Sequence, residues 1–279
     1  MLMNLHLDRT EAAAGEGALP PYERVDGDAA AGLILLCDHA RNRVPAEYAS
    51  LGLSETELAR HIAYDPGAAV VTGALAARLS VPAVMSTFSR LVVDPNRGED
   101  DPTLIMKLSD RVVVPGNIDV DDRERRDRIA RFHAPYHAAI AAAVEEALTA
   151  GVVPALVSVH SFTPAWRGYR RPWQVGILWD RDLRLAGPLI SALAKDAHLT
   201  VGDNEPYEGA LANDTLFRHG TRRGLAHALI EIRQDLIADG AGVASWAGRL
   251  AEILATLNRD PDIHEIRHCG SRTGPVDPM

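Results

Sequence analysis

The sequence is short of cysteine, of aromatic side chains, of positive charge and of long apolar runs, and each shortage removes a class of protein. Its two cysteines, Cys37 and Cys269, stand far apart with no CxxC pair between them. No disulfide framework or cysteine metal knuckle is therefore expected, and the pattern fits a reducing cytosol. Lysine and arginine number 29 against 38 aspartates and glutamates, a net charge of -9. That balance argues against a nucleic-acid surface, which is normally basic. No apolar run reaches the roughly 18 residues of a membrane span. The polar start, Met1 to Gly17, lacks the apolar core and cleavage site of a signal peptide. The expectation is a cytoplasmic protein whose partner is a small molecule, with neither nucleic acid nor membrane involved. On oligomeric state the sequence is silent.

What is present is an ordinary globular balance, 47% hydrophobic and 24% charged over 279 residues. A core of that size holds together without staples. Residues 1–30, rich in Ala, Gly, Pro and acid, read as an extended N-terminal arm, 31–258 as the folded domain, and 259–279 as a C-terminal tail. Continuous apolar runs at Leu33–Cys37, 154–159, 174–179 and 226–231 predict strands buried on both faces. Further strands are predicted at 81–87 and 90–94 around a bend, followed by a polar loop over 95–102. Ser54-Glu55-Thr56-Glu57 is a capping-box pattern that opens a helix. Helices are also predicted at about 67–79, 121–150, 182–198 and 242–257, the second of these kinked or divided by Pro135. Strands alternating with helices give an α/β fold class with a mostly parallel sheet, and such sheets place their chemistry beyond the carboxyl ends of the strands.

The chemistry-bearing residues fall at those ends. Leu33–Cys37 runs into Asp38-His39, and the 154–159 strand into His160-Ser161. Imidazole is the commonest metal-ligating side chain, and a catalytic zinc needs three protein ligands and an open position. Each histidine taken alone reads equally well as the end of a packed strand. Ser89-Arg90 and Asn96-Arg97 flank a short apolar stretch. Arginine suits a substrate carboxylate or a developing oxyanion, although an ion-pair cluster with Asp94 and its acidic neighbours reads equally well there. Glu231 ends a strand, where partial burial would raise its pKa into the range of a general base. Asp65, before Pro66-Gly67, is either a ligand or a helix N-cap. His133 and His137 stand one helical turn apart without an intervening glutamate, and read as a helix face packed near the site.

Taken in order, Asp38-His39-Ala-Arg-Asn42-Arg-Val-Pro45, Asp65-Pro-Gly67-Ala68, Ser89-Arg90-Leu, Asp94-Pro-Asn96-Arg97, Pro135-Tyr136-His137, His160-Ser161-Phe162-Thr163-Pro164 and Glu231-Ile232-Arg233-Gln234-Asp235 resemble the N-formylglutamate amidohydrolase family over about residues 33–257. The resemblance extends in fold to the zinc carboxypeptidases, aspartoacylase and succinylglutamate desuccinylase. It implies a three-layer α/β sandwich of the zinc-carboxypeptidase (phosphorylase/hydrolase-like) type around a mostly parallel mixed sheet. It also implies one zinc ion held by His39 and His160, with Arg90 at the reacting carbonyl. Asn96 and Arg97, with Tyr207 and Ser161, would bind an acidic substrate, and Glu231 would act as base and proton shuttle. The implied reaction is hydrolysis of N-formyl-L-glutamate to formate and L-glutamate. A related N-acyl amino acid, or a non-catalytic binder on the same scaffold, is the alternative. Where the wider pattern has a glutamate ligand three residues after the first histidine, this chain has Asn42. The third ligand is thus Asn42, Asp38 or Asp65.

Overall fold

The computed structural model describes residues 9–11 and 20–279. An eight-stranded mixed sheet runs through the molecule. Its strands are Arg9–Glu11 (β1), Tyr22–Val25 (β2), Leu33–Cys37 (β3), Ala83–Ser86 (β4), Ala155–Phe162 (β5), Val175–Leu178 (β6), Val201–Asp203 (β7) and His227–Arg233 (β8). Their spatial order is β1-β2-β4-β3-β5-β8-β6-β7. The central run β4-β3-β5-β8 is parallel, while β1, β2 and β6 each meet a neighbour antiparallel.

Period-2 alternation sorts the strand side chains onto two faces. On one face Leu33, Leu35, Val157, Val159, Ile230 and Ile232 pack with helices Ala68–Leu79 (α1), Ala186–Leu193 (α4) and Gly240–Leu257 (α6). On the other, Ile34, Leu36, Leu156 and Leu229 meet Tyr136, Ile140 and Val144 of a second helical layer. The result is a three-layer α/β sandwich, and it explains why every residue of β3 and β5 is buried. The alternation also decides where chemistry can occur. Asp38, Ser158, His160 and Glu231 follow the phase of the second face.

That second layer begins at Asp122–Arg128 (α2), whose N-cap Asp121 accepts from the Glu124 amide at 2.8 Å. It continues through a π turn, Ile129–His133, into Ala134–Thr149 (α3). Pro135, the predicted kink, sits in the first turn of α3, where its missing N–H costs least. Thr215–His219 forms the short helix α5, capped by Asp214.

Several predicted boundaries are corrected. The arm expected to reach residue 30 gives way to a sheet strand at Tyr22–Val25, paired with β4; residues 1–8 and 12–19 lie outside the described residues. The strand expected at 90–94 is a turn. Leu91, Val92 and Val93 are all buried against the second layer, so the apolar run reports packing and not a ladder. The helix expected over 182–198 is confined to Ala186–Leu193, because a buried Arg184–Asp182 ion pair at 2.6 Å fixes the preceding turn. The C-terminal tail is docked on the body. Ile263 is buried in the core, and Arg184 Nη1 donates to the carbonyls of Asp262 and Glu265 at 3.1 and 2.6 Å.

Gly67 opens α1 at φ +84, and a Cβ there would stand 2.7 Å from the Ile237 carbonyl oxygen. Both the left-handed backbone and the contact penalise any side chain. Gly67→Ala is expected to lower stability by about 1–3 kcal/mol in urea denaturation; an unchanged midpoint contradicts the assigned constraint.

Candidate active site

β3 ends at Cys37 and delivers Asp38 and His39 at its carboxyl edge, and β5 delivers His160. The His39 carbonyl accepts the Asp65 amide at 2.9 Å, which pulls the turn before α1 onto the strand ends. His39, Asp65 and His160 thereby converge. Each offers one ligand atom, and the three atoms lie within 4.8 Å of one another. Asp65 Oδ2 stands 2.9 Å from His160 Nδ1 and 3.4 Å from His39 Nδ1, and the two rings meet edge to face with centroids 4.8 Å apart.

The far nitrogen of each ring is held by another buried carboxylate. His160 Nε2 is 2.9 Å from Asp38 Oδ2, and His39 Nε2 is 2.7 Å from Asp94 Oδ1. Asp38 is fully buried and also accepts from the hydroxyls of Ser158 (2.8 Å), Thr215 (2.6 Å) and Tyr136 (3.0 Å). Asp94 accepts the Asn96 amide at 2.9 Å and Arg90 Nε and Nη2 at 3.0 and 2.6 Å. Burial alone would raise these carboxyls. The His160 and His39 rings beside Asp38 and Asp65, and Arg90 and His39 beside Asp94, outweigh it and hold all three below the usual carboxylate range. Burial likewise opposes charge on His160, yet its hydrogen bonds to Asp38 and Asp65 push the imidazole well above its ordinary value.

Glu231 stands beside His160 in the parallel ladder of β8 on β5. It is only 5% exposed, and Oε2 has no hydrogen-bond partner among the described residues. Desolvation pushes its carboxyl up to about 8. The triad, Glu231, Arg90, Asn96, Arg97, Ser161 and Tyr207 all line one cleft of about 390 Å³.

The structure does not bring every sequence candidate into the same role. Asn42 is turned away from the triad, and its amide donates to the Leu58 carbonyl at 2.9 Å. Asp38 braces His160 from behind. Asp65, whose alternative reading was a helix cap, makes no cap bond, since α1 has Gly67 at that position. The Ser161 hydroxyl donates to the Pro66 carbonyl at 2.8 Å and so fastens the Asp65 turn. Arg97 is tied to Thr103 Oγ1 at 3.3 Å and to the Asn96 carbonyl at 3.1 Å. Tyr207 is half exposed, with the Arg171 guanidinium 5.0 Å above its ring.

His133 and His137 face inward from the π turn and α3. His133 Nε2 is 2.9 Å from the Arg97 carbonyl and His137 Nε2 is 3.0 Å from that of Pro95. A carbonyl only accepts, so both rings donate there and secure the loop that carries Asp94, Asn96 and Arg97. His219 backs His137 at 2.9 Å. Sequence reasoning missed Asp94 as a histidine brace, because its spacing to Arg90 suggests only an ion pair. It also missed Asp214, whose position before Thr215 is the one available signal, that of an N-cap.

Helices on both faces of a mostly parallel sheet, with titratable groups converging at its carboxyl edge, define an α/β enzyme for a small-molecule substrate. The comparisons narrow this. The family model for N-formylglutamate amidohydrolase matches residues 31–238, and the chain belongs to that family. The crystal structure of a gene product from Agrobacterium tumefaciens is similar over 85% of this chain and 94% of its own, at 36% identity and a TM-score of 0.78. N-formylglutamate amidohydrolase from Ralstonia eutropha JMP134 shares the fold over 85% of this chain and 97% of its own, at 21% identity and a TM-score of 0.66. Comparison with curated proteins gives no match.

Two predictions follow from the geometry. With zinc added as a probe of the triad, Asp38→Asn and Asp94→Asn should each bind it about 10–100-fold more weakly than the parent in a competition titration; unaltered affinity would show that the braces do not set the rings. Asp214 is buried, and desolvation raises its carboxyl to about 7. A raised carboxyl favours the protonated fold, so its contribution is full below the ordinary value of 3.8 and is lost as pH rises through about 7. Asp214→Asn keeps an N-cap acceptor without the charge. Its stability should gain on the parent between about pH 4 and 7, by an amount on the order of a few kcal/mol. A gap independent of pH in urea titrations contradicts this.

Proposed function

We propose that the chain is a metal-dependent amidohydrolase that cleaves the amide bond of a small N-acyl amino acid, with one zinc ion held by His39 Nδ1, His160 Nδ1 and Asp65 Oδ2. The observation that carries this reading is the triad itself. Its donor atoms converge, and both imidazoles are braced through their other nitrogen by carboxylates. Zinc bonds of about 2.0–2.2 Å in a tetrahedral site separate donor atoms by roughly 3.4 Å. Asp65 Oδ2, at 2.9 and 3.4 Å from the two nitrogens, lies near that spacing, and with all three donors within 4.8 Å of one another small side-chain shifts would complete it. Two imidazoles and one carboxylate form the donor set of a catalytic site with a position left open. Asp65 thus supplies the carboxylate that Asn42 lacks, which removes the motive for reading the chain as a non-catalytic binder.

When bound, the ion supplies Lewis acidity, acidifies a water and favours the ionised form of neighbouring Glu231. Glu231 takes a proton from the attacking water through its unpartnered oxygen and passes it to the amide nitrogen. The C–O bond forms, the C–N bond breaks, and a carboxylic acid and a free amino acid leave. Arg90, held by Asp94 through Nε and Nη2, stabilises the carbonyl oxygen as it gains charge. Asn96 and Arg97 hold the substrate carboxylate and set its approach, with Tyr207 at the mouth of the cleft. N-formyl-L-glutamate, giving formate and L-glutamate, is the reference substrate that the family name supplies. We place the reaction in the cytoplasm, in keeping with the two free cysteines.

Glu231→Gln should lower kcat by about 10²–10⁴-fold while zinc content, measured by metal analysis, stays at one per chain. Chelation of the parent should abolish turnover and zinc should restore it. A chelated enzyme at full rate, or a Glu231→Gln chain that turns over normally, overturns the mechanism.

A further inference from the structure

The cleft continues past the triad. Alternation along β8 sends Glu231, Leu229 and His227 to one face, Leu178 of β6 pairs beside Leu229, and all four line the cleft. At about 3.3 Å per residue, His227 lies roughly 13 Å farther down the strand than Glu231. Leu216 and Phe217 of α5 and Leu211 line the same cleft. The inner chamber is therefore aliphatic and aromatic. Its volume together with the triad end, about 390 Å³, is in the range that houses drug-sized ligands.

Among the described residues no lysine or arginine lines this chamber itself; beside its lining stand Arg272, engaged by Asp180 and Glu208, and Arg171, 5.0 Å from the Tyr207 ring. His227 Nδ1 donates to the Leu225 carbonyl at 2.8 Å, its Nε2 lies 3.3 Å from the Thr221 hydroxyl, and burial keeps the ring below its ordinary pKa. The carboxyls that line the cleft on this side, Asp180, Glu208 and Asp214, are each already engaged. Asp180 and Glu208 are paired with Arg272 at 3.2 and 2.8 Å, and Asp214 accepts the Phe217 amide at 2.7 Å. The two lining arginines, Arg90 and Arg97, are tied into the loop at the triad end. A carboxylate reaching inward would lose water among leucine and phenylalanine side chains, with Arg272 already engaged by Asp180 and Glu208, and burial without a partner is costly.

Resting on the amidohydrolase reading above, we infer that this chamber takes an uncharged apolar group. The preferred substrate is then an N-acyl amino acid bearing an aliphatic or aromatic group, on its side chain or on its acyl chain, in preference to an acidic one. The acidic N-formyl-L-glutamate becomes a poor substrate.

The test uses the zinc-loaded full chain. Values of kcat/KM are compared for N-formyl-L-glutamate, N-formyl-L-lysine, N-formyl-L-leucine, N-formyl-L-phenylalanine, and N-hexanoyl-L-alanine against N-formyl-L-alanine. At least one apolar compound should exceed N-formyl-L-glutamate by about tenfold or more, the discrimination an apolar pocket supplies. The leucine and phenylalanine arm or the hexanoyl arm then tells which end of the substrate enters. Highest activity on the glutamate or lysine compound overturns the inference. Leu229→Arg, which puts a cation in the chamber, should shift preference towards N-formyl-L-glutamate. If that variant does not fold, calorimetric titration of the zinc-loaded Glu231→Gln chain with the same compounds decides by relative Kd. If none of the compounds is hydrolysed, the amidohydrolase reading falls. The titration still judges the chamber, with tighter apolar ligands supporting it and a tighter glutamate compound refuting it.

Discussion

The carboxylate of Asp38 is the fixed point of this molecule. It lies wholly out of solvent, and its two oxygens accept from three hydroxyls and an imidazole, on β5, α3 and α5. A buried charge is tolerated only when it is satisfied in this way. In meeting that demand the fold commits four separate chain segments to one geometry. Tyr136 ties the helical layer to the sheet edge, Thr215 ties in α5, and His160 is left with Nδ1 aimed at Asp65. Asp94 repeats the arrangement for His39 and joins it to Arg90. The two imidazoles of the triad are thus each held from behind by a buried anion.

Such an arrangement keeps a concentrated set of charges at a definite spacing. Asp65 lies between two imidazoles, and Arg90 Nη1 approaches its other oxygen at 3.8 Å. Glu231 is the exception, with Oε2 buried and unpaired. Around this one site Asp38, Asp65 and Asp94 are held low by their cationic and imidazole neighbours, while desolvation holds Glu231 and Asp214 high.

Much of this was legible beforehand. The apolar runs marked β3, β5 and β8, and the polar residues that follow or end them, His39, His160 and Glu231, do face one cleft. The third member of the triad was narrowed to Asn42, Asp38 or Asp65 and no further. Asp65 sits in a Pro-Gly turn that reads equally as a helix start, and only the backbone bond from its amide to the His39 carbonyl reveals where it points. Likewise, the short apolar stretch at 91–93 has the composition of a strand, but its hydrogen bonding is that of a turn, because burial and not pairing selected its residues. The braces, Asp38 and Asp94, join residues as far apart as Asp38 and Thr215, a separation that no local pattern reports.

The parallel pairing of Glu231 with His160 has a further bearing on how the family can diversify. The distance between the base and its neighbouring imidazole belongs to the sheet ladder, and a ladder shifts only in whole residues. Small sequence drift cannot tune that gap, whereas the short helix α5 and the 207–211 loop that also line the cleft can change side chain by side chain. Side chains around the cleft can therefore be exchanged, on the strands as on the roof, while the backbone spacing of positions 160 and 231 stays fixed.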